Sequence, residues 1–93
     1  MKTAYLFFAT GFEEVEALTV VDLLRRGGVE CKTVSVTGDY DVMGSHRITI
    51  RADLLFDETD LTVGEMLILP GGMPGTTNLK AHEGLTRLIE QYH

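Results

Sequence analysis

The sequence contains one cysteine, two prolines and no tryptophan among its 93 residues. A single cysteine, Cys31, excludes an internal disulfide and any zinc site built from several cysteines. Three scattered histidines give no metal-binding pattern, so the sequence predicts neither a metal nor another cofactor. Basic residues are also few, and the net charge is −6. This charge argues against nucleic-acid or anionic-membrane binding, since both require a basic surface.

Long apolar runs are missing as well. The run at residues 4–9 has six members, and Glu13 and Glu14 follow it closely. A secretory signal needs about seven to fifteen apolar residues, and a membrane-spanning helix needs about 20. We therefore expect a cytoplasmic protein. Its composition, 44% hydrophobic and 24% charged, is typical of a globular domain.

Several short segments have the pattern of β-strands. Continuous apolar runs are typical of strands buried on both faces, and an alternating pattern is typical of a strand with one buried face. The predicted strands are residues 4–9, 29–36 and 65–69, with a small hairpin or a pair of short strands over 42–52. Residues 53–64 predict a connection with a short helical turn.

Two helices are predicted. The first follows a capping box formed by Thr10 and Glu13 and continues to Arg26, where Gly27 and Gly28 end it. Its core stripe comprises Ala17, Val20, Val21 and Leu24. Three apolar residues lie off the stripe and predict contact with another element or subunit: Val15, Leu18 and Leu23. The second helix covers residues 78–93.

The order of the predicted elements is β-α-β-(ββ)-β-α. Buried strands separated by helices predict an open, mostly parallel α/β sheet. Such a sheet needs helices on both faces, and two helices scarcely cover three or more central strands. We therefore expect residues 1–93 to be the N-terminal part of a larger domain.

Two segments fall at the carboxyl ends of strands, where open α/β sheets form their sites. One is residues 11–16, which contain three glutamates. Glu13 and Glu14 are interpreted as solvated residues that cap the helix and complement its dipole. Glu16 lies about 60–100° from the centre of the core stripe, so it could be partly buried and aimed at the strand ends. Spacing leaves a catalytic and a solvated role for Glu16 equally open.

The second segment is residues 70–77, here called the glycine loop. It lacks the dinucleotide-binding fingerprint, because Pro70 occupies the position of the first glycine. Gly71 and Gly72 could direct backbone N–H groups into a site, as an oxyanion hole requires. A plain tight turn is the alternative, and the loop by itself favours that alternative.

The remaining candidates for chemistry are one thiol and three imidazoles. Cys31 falls in the second strand and is interpreted as a core residue rather than a nucleophile. His46 lies in the hairpin and could reach the rim of the site, although a surface role is favoured. His82 and His93 are expected on the surface of the last helix.

Two stretches of the sequence resemble the ThiJ/PfpI superfamily, most closely its Parkinsonism-associated deglycase branch. The first stretch is residues 7–16 followed by 21–28, and the second is residues 69–75 followed by Asn78 and Leu79. The two motifs occur in the family's order and spacing, and the resemblance spans nearly the whole chain.

The resemblance implies a flavodoxin-like α/β sandwich, usually a homodimer. It implies that Glu16 holds a carboxyl against the sulfur of a reactive cysteine. It also implies that Gly72, with Gly71 beside it, supplies a backbone donor to an oxyanion. His46 matches a position that often lines the rim near the dimer contact and that is commonly Arg in the close branch. Family activities include glyoxalase and deglycase action on reactive carbonyls, redox sensing and chaperone action, and other branches are proteases or amidases.

The resemblance also implies a nucleophilic cysteine on a strand-to-helix elbow beyond residue 93, with a histidine further downstream. Cys31 cannot take that role, because it occupies a strand position. We therefore expect the N-terminal half of a cysteine-dependent enzyme, completed by the same or a separate chain. The alternatives are a redox sensor or chaperone of the same fold, a member of the protease or amidase branches, and a stand-alone binding domain without catalysis.

Overall fold

Four parallel strands form the centre of the computed structural model, which describes residues 2–92. Their order across the sheet is β5-β2-β1-β6. The strands are β1 (Thr3–Phe8), β2 (Glu30–Ser35), β5 (Leu54–Leu55) and β6 (Met66–Ile68). A separate antiparallel hairpin comprises β3 (Asp41–Met43) and β4 (Thr49–Arg51). The predicted mostly parallel α/β sheet and the predicted hairpin are confirmed.

Strand β1 is the central strand because its apolar residues can be buried on both faces. It pairs with β2 on one side and with β6 on the other, so that Leu6 lies between Thr33 and Ile68. Its side chains alternate between two core clusters: Leu6 and Phe8 face one, and Tyr5 and Phe7 face the other. This alternation requires a packing layer on each face of the sheet.

Three helices and the hairpin supply those layers. They are α1 (Glu14–Arg26), α2 (Gly75–Lys80) and α3 (Glu83–Tyr92). Ala17 and Val21 of α1 pack with the hairpin against the face formed by Leu6 and Phe8. Leu79 of α2 packs against the opposite face, together with Leu85 and Leu88 of α3. The result is a three-layer sandwich, as expected from the sequence.

The start of α1 differs from the prediction. The predicted capping box is wrong, because Glu13 is the N-cap and its side chain accepts a hydrogen bond from Val15 N–H at 2.8 Å. Thr10 lies in a turn before the helix, where its carbonyl accepts a bond from the Asn78 side chain. Gly11 makes this turn with a φ of 87°, a conformation that favours glycine.

Three further elements differ from their predictions. Strand β5 is a two-residue strand within the predicted connection, and it exists through pairing with β2. Strand β6 is half-exposed rather than fully buried, because β1 is its one partner among residues 2–92. The predicted second helix begins earlier and is divided into α2 and α3.

His82 lies at the division between α2 and α3 rather than on the surface of a continuous helix. Its Nδ1 accepts the Leu85 N–H at 2.9 Å, and its ring contacts Phe56 edge-on. A side chain that caps the new helix and packs on an aromatic ring stabilises the break. His93 lies outside the described residues.

Candidate functional site

The start of α1 and the glycine loop meet at the carboxyl ends of β1 and β6. Gly71 N–H donates a 2.8 Å hydrogen bond to Glu16 Oε1. Glu13 N–H donates to the Gly71 carbonyl at 3.0 Å. The structure therefore brings together Glu16 and Gly71, which are 55 positions apart in the sequence.

Gly72 allows this close approach. Its φ is 97°, and a Cβ at this position would lie 2.7 Å from the backbone nitrogen of Glu13. No larger residue fits without displacing the start of α1. Among the described residues, the Gly72 N–H donates no hydrogen bond, whereas the Gly71 N–H is taken by Glu16.

Glu16 is exposed rather than partly buried. Its carboxylate nevertheless points at the strand ends, as the contact with Gly71 shows. A carboxylate held by one backbone donor keeps the acceptor capacity of its second oxygen. The roles predicted for Glu16, Gly71 and Gly72 stay predictions.

Glu14 has a structural role that its sequence pattern did not predict. The pattern indicates a solvated residue, but Glu14 is only 1% exposed and lies beneath the β3–β4 hairpin. Its Oε2 accepts the backbone N–H groups of His46 and Ile48, at 2.8 and 3.2 Å. Its Oε1 accepts a bond from His46 Nδ1 at 2.8 Å and one from Ser45 Oγ at 3.3 Å. The buried carboxylate thus holds the hairpin on α1.

The pKa values of Glu14 and His46 move apart because of this contact. Burial acts to raise the pKa of Glu14, but hydrogen bonds from the His46 side chain and from backbone N–H groups outweigh it and lower the pKa to about 2. The hydrogen bond to Glu14, and the charges of Glu13 and Glu14, raise the pKa of His46 above its usual value. The ionised pair is therefore the favoured state over a wide pH range.

A pattern in the sequence could have identified Glu14. It lies three positions before Ala17 and seven before Val21, so it continues the core stripe of α1 by one turn. An acid on a core stripe needs a specific partner, and His46 provides it from an element that is distant in sequence.

Glu13, Glu14 and His46 form a set of metal-ligating side chains, the one such set found in the part of the chain that the structure describes. Glu13 Oε2 lies 3.7 Å from His46 Nδ1. His46 therefore belongs to a cluster that lies beside the contact between Glu16 and Gly71. A contribution of His46 to that site is not tested by this placement.

Cys31 lies far from these groups. It pairs with Ala4 near the amino end of β2, whereas the site is at the carboxyl ends of the strands. It is 2% exposed, and burial raises the pKa of its thiol. The interpretation of Cys31 as a core residue is confirmed, because a buried thiol with a raised pKa is a poor nucleophile. No helix within residues 2–92 has the length and apolar character needed to cross a bilayer.

Comparison with known proteins gives matches over the whole chain. Residues 2–93 match the DJ-1/PfpI family. Two DJ-1 homologues of Arabidopsis thaliana, A and B, are 33% and 35% identical over 97% of this chain, which corresponds to 23% and 20% of their own lengths. A deglycase of Thermococcus kodakarensis is 34% identical over 69% of this chain and 38% of its own length.

Solved structures also match this chain over nearly its whole length. The oxidized DJ-1 of Toxoplasma gondii superposes with a TM-score of 0.94 at 28% identity, over 99% of this chain and 50% of that one. A mutant of a DJ-1 superfamily protein from Salmonella typhimurium gives a TM-score of 0.94 at 30% identity, with the same coverage. The chain therefore spans about half the length of these solved relatives.

Proposed function

Because the chain belongs to the DJ-1/PfpI family, we propose that it forms the N-terminal half of a cytoplasmic, cysteine-dependent enzyme acting on reactive carbonyl compounds. A relative described as a deglycase supports the substrate class. The observation that carries the proposal is the hydrogen bond from Gly71 N–H to Glu16 Oε1. It joins an acid and a glycine-rich backbone at the strand ends, where this fold forms its sites.

The proposed chemistry is attack of a thiolate on a carbonyl carbon. A sulfur–carbon bond forms, and the electron pair of the C=O double bond moves to the oxygen. The Gly72 N–H donates a hydrogen bond to this developing oxyanion. Glu16 lies beside the thiol, tunes its pKa and relays a proton to the oxygen.

The thiol comes from a second segment in this proposal. Cys31 is the one cysteine of the 93 residues, and it lies near the amino end of β2, whereas Glu16 faces the carboxyl ends of the strands. A nucleophile supplied from outside residues 1–93 also agrees with the half-length matches to solved relatives. The cysteine therefore belongs to the segment that completes the domain.

The surface beside β6 supports the proposal that a second half completes the domain. The outer edge of β6 has no strand partner among the described residues, and unpaired edges invite another strand. An apolar groove of about 420 Å³ lies next to it, lined by Leu69, Leu79 and Ile89 among others. We propose that the second half of the domain pairs with β6 and fills this groove.

The first test substitutes Glu16→Gln in the full-length protein. Turnover of a small α-oxoaldehyde is expected to fall by about 100-fold or more, the usual contribution of a proton-transferring group. The pH dependence of alkylation of the reactive cysteine should also shift, since the neighbouring charge is removed. Glu90→Gln, an exposed glutamate on α3, is the control that leaves both unchanged. Unaltered thiol reactivity in Glu16→Gln would contradict the proposal.

A second candidate is a redox sensor of the same fold. The relative from Toxoplasma gondii is described as oxidized, which favours a role in which Glu16 holds an oxidised cysteine sulfur. Comparing aldehyde turnover with cysteine oxidation under mild peroxide distinguishes the candidates. An enzyme turns over aldehyde at low protein concentration, whereas a sensor oxidises readily without turnover.

We further propose that the complete protein is a homodimer. Three apolar side chains of α1 are exposed, and Met43 and Ile48 of the hairpin are half-exposed. The α1 residues are Val15, Leu18 and Leu23. An exposed set of this kind on a soluble fold is typical of a protein interface, and a second copy would cover it in both subunits.

A further inference from the structure

The two sides of the parallel sheet differ in what covers their backbone. Strand β6 has no strand partner on its outer side within residues 2–92. On the other side, β5 pairs with β2 at Val34 and Ser35. The earlier residues of β2 have no strand beside them on this side in the described part of the chain. Such an edge is a template for pairing with another chain. We propose that the side chains of Arg25 and Asp53 close this part of β2 to strand addition.

The register of the sheet identifies the backbone groups that need closing. The N–H groups of Glu30 and Val36 donate to carbonyl groups of the β1 segment. Backbone groups of successive residues in a strand point alternately to its two sides. Those of Cys31 and Thr33 therefore point away from β1, at the part of β2 that β5 does not reach.

Two side chains occupy these groups in place of a strand. The Arg25 guanidinium donates to the Cys31 carbonyl through Nε at 3.0 Å and through Nη2 at 2.9 Å. Asp53 Oδ2 accepts the Thr33 N–H at 3.0 Å and the Thr33 hydroxyl at 3.1 Å. Arg25 Nη2 also lies 3.0 Å from Asp53 Oδ2, so the two side chains hold one another in place. A strand that approached this edge would have to displace both.

The position of the pair suits closure better than stabilisation. The Arg25 and Asp53 side chains are 52% and 46% exposed, and exposed ion pairs contribute little to stability. Arg25 is fixed in the last turn of α1, and Asp53 directly precedes β5. The Asp53 N–H also donates to the Thr33 hydroxyl at 2.9 Å. Charged side chains and very short strands both protect sheet edges, and the two-residue β5 adds the second means.

The surfaces beside the two edges differ in the same sense. The groove beside β6 is apolar. The depression beside β2 is lined by four charged side chains: Arg25, Glu30, Lys32 and Asp53. Closure on the β2 side therefore leaves β6 as the edge at which a further strand extends the sheet. That consequence rests on the proposed second half of the domain, whereas the closure itself does not.

The test compares Asp53→Ala with Asp53→Asn in the full-length protein. Both substitutions remove the charge, but asparagine keeps an oxygen that accepts the Thr33 N–H. Exchange of the Thr33 amide proton, followed by NMR, should be at least about tenfold faster in Asp53→Ala than in the wild type. Asp53→Ala should also form thioflavin-positive aggregates several-fold faster under agitation, because its β2 edge is open. Asp53→Asn should stay close to the wild type in both measurements.

Two further variants separate loss of closure from loss of stability. Arg25→Met uncovers the Cys31 carbonyl and should also aggregate faster, even where Asp53→Ala does not fold. Val21→Ala removes buried methyl groups from the same helix and leaves the edge closed, so it should aggregate more slowly than Arg25→Met when equal fractions are unfolded. Equal aggregation of these two variants, or an unchanged Thr33 amide in Asp53→Ala, would overturn the proposal. Absence of aldehyde turnover with these differences intact would overturn the proposed function alone.

Discussion

Glu14 and His46 stabilise the docked hairpin over different pH ranges. The pKa of Glu14 is lowered from 4.5 to about 2, so its contribution to folding is present above pH 4.5 and is lost as the pH falls towards 2. The pKa of His46 is raised above 6.5, so its contribution is full below pH 6.5 and is lost as the pH rises through the raised value. Both contributions are present together between pH 4.5 and 6.5.

Urea unfolding of the full-length protein from about pH 5 to about pH 9 tests this linkage. EDTA is present so that no metal ion competes. The free energy of unfolding of the wild type should exceed that of His46→Asn most at the acidic end, and the difference should shrink as the pH rises. A difference that is constant across this range would mean that His46 does not gain stability from its charge.

At the residue scale, chemistry was predictable where a local pattern carried it. Burial of Cys31 followed from its strand. Helix geometry placed Glu16 near the strand ends, but the partial burial expected for it was wrong. The role of Glu14 did not, because its partner His46 is 32 positions away. Three glutamates within residues 13–16 fit the same helix-start pattern, and only the fold separates a cap, a buried anchor and a candidate acid.

Gly44 tests how tightly the hairpin fits over α1. A Cβ at Gly44 would overlap the carboxyl group of Glu14. Glu14 cannot retreat without losing its bonds from His46 and Ile48. Gly44→Ala should therefore lower the free energy of unfolding by about 1–3 kcal/mol, as overpacking does. The measurement is the urea midpoint of the full-length protein.

Gly27→Ala is the control for this substitution. Its Cβ would meet nothing closer than 3.4 Å, and its φ of −82° suits alanine. A change within about 0.5 kcal/mol is expected. Equal effects of the two substitutions would show that the Glu14 contact at Gly44 is not tightly packed.

Elements that are determined by neighbouring residues in the sequence were predicted. Elements that depend on contacts between residues distant in sequence were not. Strand β1 and helix α1 follow from an apolar run and a 3.6-residue period, and Gly28 with a φ of 85° follows the end of α1. Strand β5 depends on β2, and the division between α2 and α3 depends on His82 packing against Phe56. The partners in each of these contacts are at least 20 positions apart, so no local sequence pattern includes both of them.

At the scale of the whole molecule, two valines of nearly equal exposure can distinguish the proposed subunit interface from ordinary surface. Val15 on α1 is 69% exposed, and Val63, at the end of a short 3-10 helix before β6, is 70% exposed. Val15→Asp would bury an unpaired charge in the proposed dimer and should weaken it by at least about 100-fold. Val63→Asp should leave the dimer intact. Light scattering at several concentrations measures this, and a dimer that survives Val15→Asp would place the interface elsewhere.

One edge of β6 has no strand partner within residues 2–92, and this edge predicts how residues 1–93 behave without the proposed second half of the domain. Met66 and Leu69 are about half exposed, and the neighbouring groove is apolar. An unpaired edge beside exposed apolar surface promotes association between chains. The segment expressed alone should therefore bind a hydrophobic dye, unfold without a sharp transition and aggregate, whereas co-expression with the second half should restore a sharp transition. A monomeric segment that unfolds cooperatively and binds no dye would instead favour a stand-alone binding domain, and the proposal of a half-enzyme would fall.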